Sequence, residues 1–360
     1  MKPFIVKVSI ALAAILLFAG QPVSRACTGI MLRAADGSVI LARTIEWGDS
    51  ELPSRYVIVP RGMDFVSYTP TGKNGMKFEA KYGFAGISIV QDEFVVEGLN
   101  EAGLSAGLFY FPGYGKYPEY KQENNGKTIA DLQLVSWMLS RFSTVDEVAA
   151  AVRKINVVAI EGSSTVHWRI GDASGRQIVL EIIDGVPQIY ENTVGVLTNA
   201  PGFMWHVTNL NNYVNLYPGG AKTFSVGGTL VHPFGAGSGM LGIPGDVTPP
   251  SRFVRAFFYR MSAPEQKTGR ECVMQSFHIL NNFDIPVGVE HPAGQAPDIP
   301  SATQWTSSTD LTNLKLYYKT MHNGTIRCID LKSIDFSSIN FVSEPLDEVK
   351  EEPVLMLKIS

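Results

Sequence analysis

The sequence predicts an α+β protein with one main domain. Short runs of β-forming residues bounded by glycine or asparagine come first, amphipathic segments with helical spacing follow, and both kinds recur later. Strands and helices that occur in groups favour layers of sheet and helix over a strictly alternating βαβ fold. No internal repeat, low-complexity tract or Pro/Ser-rich linker divides the chain, so we expect a single domain over residues 27–360.

Each element is predicted from its local pattern. Runs of β-branched and aromatic residues predict strands at 40–45, 56–59, 87–90, 94–97, 104–111, 166–170, 177–183, 188–190, 194–197, 314–320 and 325–330. Apolar residues at helical spacing predict helices at 128–139, 144–152, 205–216 and 251–261. Thr144 and Ser251 are the expected N-caps, because a hydroxyl there can accept from a free backbone N–H of the first turn.

The composition excludes several classes of protein. The 360 residues are 45% hydrophobic and 18% charged, which is typical of a globular chain with a sizeable core. Lys+Arg 30 against Asp+Glu 34 gives a net charge of −4, with no basic stripe. We therefore expect no nucleic-acid partner.

The first 26 residues have the pattern of a secretory signal peptide. A short basic head precedes twelve uncharged residues, 8–19, and the small residues Ser24 and Ala26 stand just before Cys27. Twelve residues are too few to span a bilayer, which needs about 20. We expect cleavage after Ala26, with a membrane anchor or lipidation of Cys27 as the alternatives; lipidation would favour an apolar residue where Ser24 stands.

Cleavage after Ala26 would change the chemistry of Cys27. The thiol and a free α-amine would then share one Cα, and the amine would titrate near pH 7.7–8.0. An amine with that pKa is a suitable base for its own nucleophile, as in N-terminal nucleophile enzymes. An inert cysteine remains the alternative on position alone.

Other common sites are missing from the sequence. It has no H-E-x-x-H, no C-x-x-C and no G-x-S-x-G, and its six histidines form no close pair. Residues 237–242 match G-x-G-x-x-G, but Ile243-Pro244-Gly245 follows where a nucleotide-binding unit needs a helix. We expect neither a metal nor an organic cofactor.

Four side chains are candidates to assist Cys27. If residues 28–46 form a hairpin, Arg43 and Glu46 return beside the thiol; otherwise they are a surface charge pair. Asn199, where a strand breaks, is either a turn former or an amide donor to an oxyanion. Arg252 opens a predicted helix and is either solvated or functional.

The two remaining cysteines, Cys272 and Cys328, have no assigned role. In an oxidising compartment they could form a disulfide, and two free thiols are an equal alternative.

Taken together, the chain resembles the choloylglycine hydrolase family, which includes bile salt hydrolases and penicillin V acylases. Nine short motifs carry the resemblance in family order: CTGI at 27–30, ARTIEW at 42–47, NEAGL at 100–104, FPGY at 111–114, LTNAP at 197–201, NLNNY at 209–213, GAG at 235–237, GIPGD at 242–246 and SRFVR at 251–255. Each is weak alone, but the ordered set is specific. The signal peptide resembles the Gram-negative branch.

The resemblance implies a four-layer αββα sandwich of the N-terminal nucleophile hydrolase type. It also implies site roles, with Cys27 as nucleophile and Arg43 beside its thiol. Asn199 would donate to the oxyanion and Arg252 would stabilise charge at the reacting centre. The register places Tyr110 at the remaining site position, where bile-salt-hydrolysing members often have Asn and penicillin V acylases often have Tyr.

Glu46 is a departure from the family pattern, which usually has Asp there. The family carboxylate normally holds the N-terminal amine or the thiol. Because Glu is one methylene longer, either the site is shifted or Glu46 has another role. We keep it as a site residue.

The predicted function is cysteine-dependent hydrolysis of a non-peptide amide through a thioester. Conjugated bile salts are the first substrate class; penicillin V or an N-acyl homoserine lactone is the alternative, and a non-catalytic lipoprotein is the remote one. Residues 63–68, 109–114 and 204–205 either line a pocket for a bulky apolar acyl group or pack in the core. We expect a periplasmic or secreted protein of a Gram-negative bacterium, and the resemblance implies a homotetramer.

Overall fold

Two antiparallel sheets face each other at the centre of the computed structural model, which describes residues 25–48, 50–160, 165–291 and 302–359. All but the last two residues of the predicted signal peptide lie outside these ranges.

The first sheet has six strands in the order β14-β1-β2-β17-β18-β19. Its strands are β1 (Arg25–Arg33), β2 (Val39–Trp47), β14 (Val196–Leu197), β17 (Ala302–Asp310), β18 (Lys315–Thr320) and β19 (Arg327–Asp330). The neighbouring strands β1 and β2 form a hairpin, which we predicted for residues 28–46, and β17 pairs along the other edge of β2.

The second sheet has eight strands in the order β13-β12-β11-β8-β7-β6-β3-β20. Its strands are β3 (Ser54–Val59), β6 (Phe84–Ile89), β7 (Gln91–Asn100), β8 (Ser105–Tyr110), β11 (Val166–Gly171), β12 (Gln177–Ile183), β13 (Val186–Glu191) and β20 (Val342–Pro345). Strands such as β6 and β11 are buried along their whole length because both faces of the sheet are covered.

Helices cover the outer faces of both sheets. They are α1 (Leu134–Arg141), α2 (Val145–Ala151), α3 (Phe203–Asn209), α4 (Pro249–Ser262) and α5 (Gly269–Leu280). Helix α1 packs on β7 and β8 of the second sheet, whereas α4 and α5 pack on β1, β2 and β17 of the first. The predicted αββα order of layers is confirmed.

Three short strand pairs lie outside the sandwich. They are β4 (Asp64–Val66) with β5 (Lys77–Glu79), β9 (Thr128–Ala130) with β10 (Asn156–Val158), and β15 (Phe224–Val226) with β16 (Thr229–Val231).

Most predicted strands are confirmed, but two predicted helices begin or end elsewhere. The helix predicted at 128–139 starts only at Leu134, because the β-branched Thr128 and Ile129 pair in parallel with β10. The helix predicted at 205–216 is α3, followed by a 3₁₀ turn at Leu210–Tyr213.

One predicted N-cap is correct and one is wrong. The Thr144 side chain accepts from the backbone N–H of Glu147, as expected. Ser251 lies inside α4, whose N-cap residue is Thr248, because Pro249 and Pro250 fit the first helical turn where no N–H is needed.

The sequence analysis missed several elements, among them β17, β20 and α5 and most of the short strands outside the sandwich. Strand β17 is rich in Ser and Thr, which is typical of a loop, yet it is buried along its length between β2 and β18. Helix α5 has a recognisable signal in the capping box formed by Thr268 and Glu271.

Within the described ranges, none of the helices is both long enough and apolar enough to cross a lipid bilayer.

Candidate active site

Cys27 lies on β1 with its side chain between the two sheets. In the β1–β2 hairpin, Cys27 pairs with Ile45 and Gly29 pairs with Arg43. Side chains alternate between the faces of a strand, so Arg43 is on the same face as the thiol. The Arg43 Nη2 group lies 2.8 Å from Cys27 Sγ, and the cysteine is only 4% exposed. The hairpin thus brings an arginine to the sulfur.

The guanidinium of Arg43 is fixed by the opposite sheet. Its Nη1 donates to the carbonyls of Val96 (3.2 Å) and Leu108, on β7 and β8, and its Nε donates to the carbonyl of Thr44 at 3.2 Å. The guanidinium carbon also lies 4.2 Å from the centre of the Phe109 ring. With these groups satisfied, Nη2 is left to face the sulfur.

The ionisation of Cys27 is a balance between burial and charge. Burial raises the pKa of the Cys27 thiol above its ordinary value, and Arg43 is the strongest influence that lowers it. Glu46 raises that pKa, whereas a backbone hydrogen bond with Tyr110 and the charge of Arg252 lower it. Arg43 is therefore the main group favouring the thiolate.

Asn199 joins three parts of the site through its side-chain amide. Its Oδ1 accepts from the Cys27 backbone nitrogen at 2.9 Å and from Arg252 Nη2 at 2.7 Å, while its Nδ2 donates to the Tyr110 carbonyl at 2.8 Å. An amide nitrogen carries two hydrogens, so one remains for a further acceptor beside Cys27. Asn199 is thus placed as a hydrogen-bond donor and is not simply a turn former.

Arg252 is buried, contrary to the solvated alternative. It is 1% exposed on the first turn of α4, and its Nη1 donates to the Cys27 carbonyl and to Thr28 Oγ1 at 2.9 Å. Its Nε donates to the Val247 carbonyl at 2.8 Å. The residue therefore connects α4 with β1 at Cys27 and the residue that follows it.

Glu46 lies near the site but on the other face of the sheet from the thiol. It pairs with Ala26 on β1, one register position away from Cys27. It is 2% exposed, and its Oε1 accepts from Thr303 Oγ1 at 3.2 Å. Its Oε2 is buried and has no hydrogen-bond partner among the residues that the structure describes.

The pKa of Glu46 follows from this burial. Burial raises the pKa of the carboxyl from 4.5 to about 7, although Arg252, Thr44 and Arg43 lower it; the charge of Glu290 raises it further. Glu46 is therefore a carboxyl that titrates near neutral pH beside the nucleophile.

Tyr110 is at the carboxyl end of β8, where its backbone reaches the site. Its carbonyl accepts from Asn199, and its backbone hydrogen bond lowers the pKa of the Cys27 thiol. The Tyr110 side chain is half-buried. The other five predicted site residues are thus gathered around Cys27, with Glu46 on the opposite face of the sheet.

The predicted pocket-wall segments separate into core and surface. Phe109 is fully buried against Arg43, and Phe111 is buried in a stack on His167 with ring centres 4.3 Å apart. Met204 and Trp205 are about half exposed. Only the surface members remain candidates to contact a substrate.

The sequence analysis missed a buried ion pair behind Arg43. Arg169 Nη2 and Glu97 Oε1 are 2.8 Å apart, and Glu97 Oε2 lies 3.8 Å from Arg43 Nη1. A charged residue inside an otherwise apolar strand is the available sequence signal, as for Glu97 after Phe94-Val95-Val96 and for Arg169 between Trp168 and Ile170.

The other cysteines and the glycine motif are not part of the site. Cys272 is buried and Cys328 is exposed, and both are free thiols, so the disulfide alternative is wrong. The G-x-G-x-x-G segment forms a 3₁₀ turn at Ser238–Met240. In the described part of the chain, no three His, Cys, Asp or Glu side chains cluster as metal ligands would.

Comparisons with known proteins agree with the predicted family and fold. The family described as linear amide C–N hydrolases, choloylglycine hydrolase family, matches residues 27–344. A bile salt hydrolase/transferase of Clostridium perfringens is 33% identical over 313 residues, covering 85% of this chain and 92% of that protein. A penicillin V acylase of Pectobacterium atrosepticum is 25% identical over 357 residues, covering 91% and 86%.

A solved structure extends the likeness to three dimensions. The crystal structure of a mutant conjugated bile acid hydrolase from Clostridium perfringens has a TM-score of 0.80 and 30% sequence identity, and it covers 92% of this chain and 100% of that chain.

The Glu46 carboxyl should make stability depend on pH. Its pKa is about 7 in the folded full-length chain and near 4.5 when unfolded, so the folded state binds the proton more tightly. The stabilisation is complete below pH 4.5 and is lost as pH rises through 7, by at most about 3 kcal/mol. Glu46→Gln should flatten the fall in the free energy of unfolding over this range, measured by urea denaturation at several pH values.

The exposed Glu119→Gln serves as the matched control and should keep the wild-type slope. If the free energy of unfolding has the same pH dependence in Glu46→Gln and in wild type, the raised pKa of the Glu46 carboxyl is contradicted.

Proposed function

Because this chain belongs to the choloylglycine hydrolase family of linear amide C–N hydrolases, we propose that it cleaves conjugated bile salts and releases glycine or taurine. One observation carries the proposal. Cys27 Sγ lies 2.8 Å from Arg43 while the nitrogen of the same residue lies 2.9 Å from Asn199 Oδ1. Cys27 thereby supplies both the nucleophilic sulfur and the nitrogen of the proposed base. Arg43 is the partner of the sulfur, and Asn199 is the partner of the nitrogen.

The proposal requires cleavage after Ala26. A peptide nitrogen has no available lone pair, but an α-amine with a pKa near 7.7–8.0 can accept the thiol proton. Ala26 continues β1 and pairs with Glu46, and its removal leaves the new amine next to the Asn199 carboxamide. The Glu46 carboxylate then provides a negative charge near the ammonium form.

The acylation step uses the groups around Cys27. The amine takes the proton of the thiol, Sγ attacks the amide carbonyl, and an S–C bond forms as the carbonyl oxygen becomes an oxyanion. The free N–H of Asn199 Nδ2 and the backbone N–H of Tyr110 stabilise that oxyanion. The ammonium, relayed by water, gives its proton to the leaving nitrogen, the C–N bond breaks, and a thioester remains on Cys27.

Water completes the cycle. The regenerated amine removes a proton from water as it attacks the thioester, and the S–C bond breaks to release the carboxylic acid and the thiol. Arg252 holds the Cys27 carbonyl and the Asn199 Oδ1 in place during both steps. Since the chemistry is complete with these side chains, we propose that no metal or organic cofactor takes part.

The alternative substrate class is penicillin V or an N-acyl homoserine lactone. It is supported by Tyr110, which stands at the position where penicillin V acylases often have tyrosine, and by the similarity to the Pectobacterium enzyme. The higher identity to bile salt hydrolases favours the first substrate class. All these substrates share an amide with a bulky apolar acyl group.

The direct test is an amide hydrolysis assay on the mature protein beginning at Cys27. Glycocholate, taurocholate, penicillin V and an N-acyl homoserine lactone are compared by product release. We expect glycine or taurine release from the bile salts, lowered by about 10⁴-fold or more in Cys27→Ala because the nucleophile is lost. Cys328→Ala, which removes an exposed free thiol, is the matched control and should retain activity.

Cleavage of penicillin V or the lactone alone would support the alternative and point to the Tyr110 side chain in substrate choice. Inactivity of the folded, correctly processed protein on all four amides would contradict both.

We also propose that residues 1–26 direct export to the periplasm or medium of a Gram-negative cell and are then removed. The intact mass of the protein recovered from the periplasm should correspond to residues 27–360. A lipid adduct on Cys27 would support the lipoprotein alternative and contradict the proposed enzymatic function, because acylation removes the basic amine.

A variant that retains one residue before Cys27 should lose amide turnover by about 10²–10⁴-fold while its thiol still reacts with iodoacetamide.

A homotetramer is the proposed assembly. The segment around β15 and β16 carries several large apolar side chains that are more than half exposed, including Phe224, Val226, Leu230 and Phe234. An exposed apolar cluster of this kind is typical of a protein interface. Light scattering should give about four times the mass of one chain, and Phe224→Ser with Leu230→Ser should lower it; a wild-type monomer would contradict the assembly.

A further inference from the structure

Two buried histidines hold consecutive backbone carbonyls at Asn199. His167 Nε2 lies 3.0 Å from the Thr198 carbonyl, and His206 Nε2 lies 2.9 Å from the carbonyl of Asn199 itself. Neither imidazole is exposed, and the mechanism above uses neither of them. Two buried imidazoles therefore hold the backbone of the proposed oxyanion donor at consecutive carbonyls.

His206 contacts both Asn199 and the neighbour of Arg252. It lies on α3, and its ring stacks on Phe253 with centres 4.7 Å apart and planes 9° apart. Phe253 follows Arg252 on α4, and Arg252 donates to Asn199 Oδ1. One imidazole thus links the backbone of Asn199 to the helix that anchors its side chain.

The hydrogen bond fixes the state of the imidazole. A carbonyl oxygen only accepts, so the proton is on Nε2. His206 Nδ1 is buried without a hydrogen-bond partner among the described residues, and burial lowers the pKa of His206 to about 4. Among the surrounding groups, Glu181 raises this pKa, whereas His167 and Arg252 lower it. The ring is therefore neutral at pH 7.

A phenylalanine could fill the same space without an unsatisfied nitrogen. It would stack on Phe253 as well as an imidazole does, and no buried lone pair would be left unpaired. What histidine adds at this position is the single hydrogen bond to the Asn199 carbonyl. The buried Nε2–H group of His206 makes that hydrogen bond possible.

The first turn of α3 is itself anchored to the second sheet. Glu181, on β12, has its Oε1 3.2 Å from His167 Nδ1 and accepts from the Phe203 backbone N–H at 2.8 Å. The Glu181 carboxylate therefore contacts His167 directly. It also holds the start of α3, the helix that carries His206. This gives His206 a fixed position from which to hold Asn199.

We propose that His206 is a positioning residue for catalysis: its Nε2–H fixes the Asn199 carbonyl and so aims the Asn199 side-chain amide at the oxyanion. The inference rests on the proposed function, in which Asn199 is the oxyanion donor. It assigns no proton transfer to His206.

The test compares three variants of the mature full-length protein. His206→Phe keeps the stack and removes the hydrogen bond, whereas His206→Gln supplies an N–H at a similar reach. His278→Phe makes the same replacement at an exposed histidine on α5 and is the matched control. Readouts are kcat and KM on glycocholate and penicillin V, and the rate of Cys27 alkylation by iodoacetamide.

We expect His206→Phe to lower kcat about 10- to 100-fold with KM within about threefold, because a misplaced donor weakens only transition-state binding. Alkylation of Cys27 needs no oxyanion donor and should stay within about twofold of wild type. His206→Gln should recover kcat to within about threefold of wild type.

The possible outcomes separate the two hypotheses. If wild type is active and His206→Phe has the same kcat, the positioning role is wrong and the proposed function stands. A parallel loss of turnover and alkylation would indicate general damage to the site and would also overturn the positioning role.

If His206→Phe does not fold, His206→Asn takes its place in the comparison, because the shorter Asn amide cannot reach the Asn199 carbonyl. Equal kcat for the Asn and Gln variants would overturn the positioning role. Inactive wild type would contradict the proposed function and this inference together.

Discussion

The site depends on burying the Arg43 guanidinium between two sheets. A buried cation is tolerated only when its donors are satisfied, and the carbonyls of Val96 and Leu108 on the facing sheet do this. Those bonds join the two sheets through Arg43 and leave one edge of the guanidinium toward Cys27 Sγ. The same arrangement that stabilises the sandwich therefore opposes the effect of burial on the pKa of the thiol.

Around this pair, the chain assembles its reacting groups from separate layers. The nucleophile comes from the first sheet, Tyr110 from the second, Arg252 from a helix on the outer face, and Asn199 from the loop after β14. The Asn199 amide is the point where they meet, since it contacts the other three. A small movement of any layer would alter the geometry at the reacting carbonyl, which is why the backbone supports of Asn199 matter.

Much of the fold was predictable because its signals are local. The pattern of apolar runs placed most strands, and Thr144 marked its helix start because a cap depends on neighbouring residues only. The failures have non-local causes. Thr128–Ala130 became a strand because β10 was available to pair with it, and the Ser/Thr-rich β17 is buried only because β2 and β18 enclose it.

The sequence by itself determined the family and the α+β class, because ordered motifs record chemistry as well as structure, and it supplied six candidate site residues. Only the tertiary structure decided how those residues are arranged. Three features show this: Glu46 is buried on the far face of the sheet, Cys272 and Cys328 are free thiols, and His206 contacts Asn199. The spacing of these residues in the chain gives no signal for any of them. Burial, charge and hydrogen bonding depend on distances in space, and these exist only once the two sheets have packed.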